Sequence, residues 1–73
     1  MTSTNLADRY VGRVYARQGG TRPGTWKIVG ATMLKFSGSF YYALQMRREP
    51  GGQEHVMGLA QFRKWVRRAE RLG

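Results

Sequence analysis

The sequence predicts a small α+β or mainly β domain, in which an antiparallel, strongly bent sheet of four or five strands precedes one C-terminal amphipathic helix. Apolar and polar residues alternate over several short runs between residues 10 and 57, as they do in half-buried strands. Clusters of Gly, Pro and Ser separate these runs, and strands joined by short turns usually pair with each other. Near the end of the chain, apolar residues recur every three or four positions, which is the spacing of an amphipathic helix.

The first half of the chain contains a predicted tail, two strands and a loop. Residues 1–8 are expected to form a flexible N-terminal tail, and residues 9–73 a single small basic domain. Alternation over residues 10–17 predicts the first strand. Gln18–Gly24 contains three glycines and a proline and predicts a mobile loop, and Thr25–Thr32 predicts the second strand.

The second half contains the clearest strand. Met33–Phe36 either continues the second strand or forms a separate one, and Ser37–Ser39 predicts a tight turn. Phe40–Arg48 is rich in aromatic and apolar residues, which favours a strand. Glu49–Gly52 predicts a hairpin turn because proline cannot lie inside a central strand, and Gln53–Met57 predicts the returning strand.

The last fifteen residues predict one amphipathic helix. Gly58 permits a sharp change of direction before it. The predicted apolar face consists of Leu59, Phe62, Trp65, Val66, Ala69 and Leu72. The opposite face carries five cations, Arg63, Lys64, Arg67, Arg68 and Arg71, with only Glu70 nearby to offset them. We expect these five side chains to form a continuous basic stripe that contacts phosphates.

The composition favours a polyanionic partner. The formal net charge is +9, from thirteen Lys and Arg against four Asp and Glu, and ten of the thirteen are Arg. Arg grips phosphate with a planar fork and stacks on bases. A net charge of this size repels itself in the compact state unless counterions or an anionic partner relieve it. Nucleic acid is the commonest such partner, and an anionic membrane surface is the second.

A second basic surface is expected on the first strand. Arg13, Tyr15 and Arg17 alternate with apolar neighbours, so Tyr15 is a candidate for stacking on a base between two guanidinium groups. The alternative is a solvated strand face on which Tyr15 covers a hydrophobic edge. Arg22 in the glycine-rich loop and Arg47 in the clearest strand are further candidate contacts to nucleic acid.

Chemistry-bearing motifs are absent from the sequence. It has no Cys and a single His, His55, and no metal-ligand spacing or nucleophile elbow is present. We therefore expect no enzymatic activity, no metal and no cofactor. The longest apolar run falls short of the ~18 residues that a membrane span needs, and no signal-peptide pattern is visible. An intracellular, cytoplasmic location is the expectation.

Several segments resemble a known class of small domain. Val11–Tyr15 is similar to the first strand of SH3-like small barrels of the KOW and Tudor-like kind, and Trp26–Val29 and Tyr42–Gln45 would be the next paired strands. Gly58 and Phe62, at the entry into a basic helix, are similar to very small proteins of phages and mobile elements. The resemblance implies an SH3-like barrel, a fold that hosts many unrelated functions.

Two functions follow as hypotheses. The first is a small nucleic-acid-binding protein, with DNA as the expected partner, that acts through electrostatics and shape. The alternative is a protein-interaction module, such as a phage or plasmid accessory factor, that docks on an acidic partner protein. A homodimer or larger homo-oligomer packed through its helices is a further alternative.

Overall fold

Five antiparallel strands and one α-helix make up residues 6–73, the part of the chain that the computed structural model describes. In chain order, a 3-10 helix (Leu6–Tyr10) is followed by β1 (Val14–Arg17), β2 (Gly24–Phe36), β3 (Ser39–Arg48), β4 (Glu54–Gly58), α1 (Leu59–Val66) and β5 (Ala69–Arg71). The strands form one sheet in the order β4-β3-β2-β1-β5. The predicted antiparallel sheet with one helix is confirmed. The sheet is not closed, so it is not shown to be a barrel.

The hairpin between β2 and β3 is the longest feature of the sheet. Met33–Phe36 continues β2 rather than forming a separate strand. Ser37 and Gly38 connect the two strands with φ angles of 52° and 78°. Positive φ at both central residues is the mark of a type I′ turn, whose twist matches that of the flanking strands. The turn expected at Ser37–Ser39 is therefore confirmed.

The N-terminal part of the domain differs from the expectation. The strand predicted over residues 10–17 begins only at Val14, and Leu6–Tyr10 is a 3-10 helix instead. Ala7 is completely buried and the ring of Tyr10 lies edge-on to Phe62, with 4.9 Å between centroids. Packing of this short helix on the core therefore overrides the alternating pattern. Of the tail predicted over residues 1–8, residues 1–5 lie outside the described residues.

The C-terminal helix is half as long as predicted. It ends at Val66, and Ala69–Arg71 then forms β5 along the edge of β1. The helix ends early because the free edge of β1 presents unpaired backbone N–H and C=O groups, and residues 69–71 pair with them. The Leu72 amide donates to the Val14 carbonyl at 2.7 Å. Leu72, expected on the apolar helix face, is instead 55% exposed.

The hydrophobic core lies between α1 and the sheet. Phe62 is completely buried at its centre, and its ring contacts those of Tyr10, Tyr15 and Trp65. The sheet and its edges contribute buried apolar side chains, chiefly Ile28, Leu44, Met46 and Met57. Full burial of a side chain such as Phe62 contributes about 1.5–3 kcal/mol. The helix is therefore docked by the face that the sequence predicted, as far as Trp65.

Candidate nucleic-acid interface

Tyr15 belongs to the core and not to the surface. It is only 4% exposed, and its ring packs edge-on against Phe62 and Trp65. Its register opposite Trp26 places both side chains on the face of the sheet that α1 covers. The expectation that Tyr15 stacks on a base is therefore wrong. Of the alternative, the solvated strand face is wrong as well, and only the expectation that Tyr15 packs on hydrophobic residues is supported by its burial.

The two arginines beside Tyr15 are held against aromatic rings. The Arg13 guanidinium carbon lies 5.2 Å from the centroid of the Tyr10 ring, and its Nη1 contacts the Tyr15 hydroxyl at 3.4 Å. Arg17 Nη1 donates to the Trp65 carbonyl at 3.3 Å, and its guanidinium carbon lies 5.8 Å from the Trp65 ring. Stacking of this kind fixes a guanidinium while leaving its other N–H groups available.

The predicted continuous stripe of five helical cations does not form. Arg63 and Lys64 lie exposed on α1, Arg67 and Arg68 form the turn that follows, and Arg71 lies in β5. Helical spacing no longer relates the last three to the first two, because the backbone leaves the helix at Arg67. The Arg71 Nε donates to the Gly73 carbonyl at 3.2 Å. The positions of these five side chains therefore depend on the turn and on β5 as well as on the helix.

The glycine-rich loop, residues 18–23, is anchored by both tryptophans. Trp65 Nε1 donates to the Thr21 carbonyl at 2.8 Å and contacts the Arg22 carbonyl at 3.3 Å. Trp26 Nε1 donates to the same Arg22 carbonyl at 3.1 Å. Both indoles are buried, and a buried donor needs a partner. The expectation of a mobile loop is corrected for residues 21–23, which are fixed between the helix and the sheet.

Two glycines around the loop make room for guanidinium groups. A Cβ at Gly20 would lie 2.6 Å from Arg17 Nη2, and one at Gly24 would lie 3.0 Å from Arg48 Nε. Both glycines also have positive φ, at 70° and 110°, which other residues rarely adopt. The turn-forming glycines therefore also let Arg17 and Arg48 lie close against the backbone.

Basic side chains gather around this loop. Arg17 and Lys64 line one cleft together with Thr21, and Arg22 and Arg48 line a second cleft on the next residues of the loop. Arg68 lines a third cleft with Gln18, at the start of the loop, although Glu70 lies in the same cleft. We call this group the loop cluster: Arg17, Arg22, Arg48, Lys64 and Arg68.

The loop cluster is not neutralised by the protein's own carboxylates. All thirteen basic and all four acidic side chains lie within residues 6–73. In that range one ion pair forms, between Arg47 and Glu49 at 3.8 Å, and both side chains are more than 40% exposed. Exposed pairs of this kind contribute little to stability. The positive field of the cluster therefore remains available to an external anion.

The structure adds Arg48, which the sequence did not single out, and His55, which the sequence offered only as a lone histidine without metal-ligand spacing, and it separates Arg47 from the site. Arg48 and His55 line the cleft beside Arg22. Arg47 lies on the opposite face of the sheet, because it pairs with Lys27 and Glu54 in the register while Arg48 pairs with Trp26. Alternation along β3 implied that Arg47 and Arg48 lie on opposite faces of the sheet. Only the register shows that Arg48 is the one on the same face as Trp26, beside the loop.

An apolar arm extends from the other end of the sheet. Beyond the reach of β1 and β4, the ends of β2 and β3 pair only with each other. We define the arm by its exposed apolar side chains: Met33, Leu34, Phe36, Phe40 and Tyr41. Phe36 is 70% exposed and Phe40 62%. A groove of about 670 Å³ runs between this arm and the start of α1, with Arg63 in its wall.

The described residues contain neither a metal cluster nor a membrane-spanning helix. Within residues 6–73, no three His, Cys, Asp or Glu side chains come together in a way that could hold an ion. No helix in the same range has the length and apolar character needed to cross a bilayer. Comparisons of the chain with protein-family models, with curated proteins and with solved structures find no match.

Proposed function

We propose that this protein binds nucleic acid, with DNA as the expected partner, through phosphate contacts made by the loop cluster. The observation that carries the proposal is that five cations, none of them in an ion pair, line three clefts that border one loop. Phosphate contacts position a protein on nucleic acid without reading sequence, and they supply most non-specific affinity. The loop cluster replaces the helical stripe as the expected contact surface.

The fixed geometry of the cluster supports this proposal. The hydrogen bond of Arg17 to the Trp65 carbonyl and its stacking on the Trp65 ring position this guanidinium before any ligand arrives, and the Arg48 guanidinium lies close to Gly24. Binding then costs less side-chain entropy than it would for freely rotating side chains. Four of the five cations are Arg, which forms bidentate contacts with phosphate oxygens. Because Tyr15 is buried, it does not stack on a base at this surface.

Direct titration tests the proposal. Fluorescently labelled duplex DNA, single-stranded DNA and RNA of equal length are titrated with the protein at about 50 and 200 mM salt. Affinity is expected to fall steeply with salt, because each phosphate contact releases condensed counterions. Lys64→Ala and Arg68→Ala should each lower the salt slope by about one, whereas the matched removal of a distant cation, Lys35→Ala, should not. Absence of binding to all three at low salt would end the proposal.

A second candidate function is docking of a protein partner on the apolar arm. Monomeric proteins rarely expose a contiguous group of large apolar side chains, and such patches mark interaction sites. The occupant that fits is an apolar segment with acidic flanks, because Arg63 lies in the groove wall and Lys35 lies 5.7 Å from the Phe40 ring. A second copy of a chain with a net charge of +9 is disfavoured by repulsion.

Peptide binding distinguishes this candidate from the first. A synthetic peptide of Leu and Phe with Glu flanks should bind the protein, and the same peptide with Lys flanks should not. The double variant Phe36→Ser/Phe40→Ser should abolish peptide binding and leave DNA binding intact. Equal binding of both peptides contradicts the candidate. Loss of single-stranded DNA binding in the double variant would instead make the arm a surface for base stacking.

A further inference from the structure

One cleft of the loop cluster gathers three side chains that can carry positive charge, from three different parts of the chain. Arg22 comes from the loop, Arg48 from the end of β3 and His55 from β4. The cleft has a volume of about 220 Å³ and is completed by Pro23, Trp26, Gln53 and Glu54. A phosphate group has a volume well below this, and the three side chains supply only donors when His55 is protonated.

Arg22 is held in an unusual backbone conformation. Its φ is +55°, in the left-handed region that residues other than Gly, Asn and Asp rarely adopt. Its carbonyl accepts hydrogen bonds from the indoles of both Trp26 and Trp65, at 3.1 and 3.3 Å. Such strain persists only where the surroundings impose it, and it is common at binding sites. The two tryptophans thus fix the backbone from which the Arg22 side chain enters the cleft.

Arg48 is placed by Gly24. A Cβ at Gly24 would crowd the Arg48 guanidinium, whose Nε lies 3.0 Å from that position, so the absence of a side chain there lets Arg48 approach. No carboxylate within residues 6–73 forms an ion pair with Arg22 or Arg48, although Glu54 lines the same cleft. The two guanidinium groups therefore share a cleft without a counter-charge bound directly to either.

His55 is the titratable group of the cleft. Burial, and second the positive charge of Arg22, hold the pKa of the His55 imidazole below its ordinary value of 6.5. Arg48 from β3 and Glu54 from its own strand line the same cleft, and Lys64 of α1 lines a different cleft with Met57. An anion placed between the arginines would offset the repulsion from Arg22 and favour the protonated imidazole.

We infer that the cleft between Arg22, Arg48 and His55 is a binding site for a phosphate group. The inference rests on the proposed function, because a phosphate of a nucleic acid is the ligand that the loop cluster would deliver to it. The chemistry that the cleft recognises is shared by an internal phosphodiester and a terminal phosphate. Two guanidinium groups bind the oxygens, and His55 takes up a proton and donates a third hydrogen bond.

NMR titration of the His55 imidazole tests this site. The imidazole resonances are followed against pH in chloride, and then in inorganic phosphate at equal ionic strength. Phosphate should raise the pKa of His55, because a bound anion favours the protonated imidazole. Arg48→Gln should weaken phosphate binding by about tenfold, the effect of losing one charge-assisted hydrogen bond. Arg9→Gln, which removes the same charge from a side chain that stacks on Tyr10 and does not line the cleft, should leave it unchanged.

The source of the phosphate is resolved by two oligonucleotides of one sequence. If the 5′-phosphorylated form shifts His55 and the 5′-hydroxyl form does not, the cleft binds a terminal phosphate, and equal shifts assign it to an internal phosphodiester. A His55 titration that is the same in phosphate and chloride, or an equal effect of Arg9→Gln and Arg48→Gln, overturns the site. If nucleic acid binds without changing the His55 imidazole resonances, the phosphate site is wrong and the proposed function is unaffected. If phosphate binds but no nucleic acid does, the proposed function is wrong and the site remains.

Discussion

At the scale of single residues, His55 links the stability of the domain to pH. Its pKa lies below 6.5 in the folded protein, because burial and Arg22 disfavour the charged imidazole. The unfolded chain therefore binds this proton more readily than the folded one does. The stabilising contribution is complete above pH 6.5 and is lost as the pH falls through the folded pKa.

Urea unfolding in phosphate-free buffer measures this effect. Between pH 7.5 and about 5, above the range where most carboxylates titrate, the free energy of unfolding of the native protein should decrease as the pH falls. His55→Gln should show a flatter dependence over the same range. If the variant and the native protein lose stability in parallel, the His55 imidazole is not the group responsible.

Trp65 is the residue that connects the core to the loop cluster. Trp65→Phe keeps an aromatic ring beside Phe62 but removes the indole N–H that donates to the Thr21 carbonyl at 2.8 Å. We expect a loss of about 1–2 kcal/mol in the free energy of unfolding, since the variant loses the hydrogen bonds of the indole N–H to Thr21 and Arg22 and some packing. Hydrogen exchange should also accelerate at residues 19–23 and remain unchanged in β3. Unchanged exchange in the loop would show that the indole does not anchor it.

At the scale of elements, the turn between β2 and β3 uses one residue that is not ideal for its conformation. Ser37 has a φ of 52°, whereas type I′ turns favour Asn or Gly at this position, followed by Gly. Ser37→Asn should therefore raise the free energy of unfolding by about 0.5 kcal/mol. Ser37→Val should lower it, because a β-branched residue is strained at positive φ. Thermal unfolding of the two variants beside the native protein measures both effects, and a destabilised Ser37→Asn would contradict the turn type.

The sequence allowed most strands to be predicted, because their turns carry strong local signals. Gly38 and Pro50 mark two of these turns, and the intervening β3 is rich in aromatic residues. The end of α1 was not predictable in the same way. Ala69 and Leu72 continue the helical spacing, but the free edge of β1 recruits this segment as β5. The strand that β5 pairs with lies more than fifty residues earlier in the sequence, so no local pattern predicts this pairing.

The sequence predicted most residues of the candidate site, but it did not predict that they lie around one loop. Arg17, Arg22, Lys64 and Arg68 were expected contacts from charge alone. Their gathering around the loop depends on the hydrogen bonds of two tryptophans, which no spacing in the sequence reveals. Arg48 was missed for a related reason. Only the register that places it opposite Trp26, on the face opposite to Arg47, brings it beside the loop.

At the scale of the whole molecule, the basic loop cluster and the apolar arm lie toward different ends of the sheet. The loop cluster lies where β1 and β2 meet the end of α1, whereas the apolar arm extends beyond β1 and β4, and its groove runs from the arm to the start of α1. A net charge of +9 with a single ion pair among residues 6–73 leaves the cationic end attractive to polyanions. The two surfaces approach each other on α1, where Arg63 lines the groove and Lys64 the loop cluster, but the residues substituted to test them are different.

The most direct measurement is the salt dependence of DNA affinity for two triple variants of equal charge. One removes three cations of the loop cluster, Arg17→Gln, Lys64→Gln and Arg68→Gln, and the other removes three outside it, Arg9→Gln, Lys35→Gln and Arg71→Gln. The loop-cluster variant should lose at least tenfold in affinity at about 50 mM salt, and its plot of log K against log salt should be shallower by about three. The other variant should keep nearly the native slope. Equal slopes for the two variants would show that net charge alone governs binding and that the anchored loop is not the contact surface.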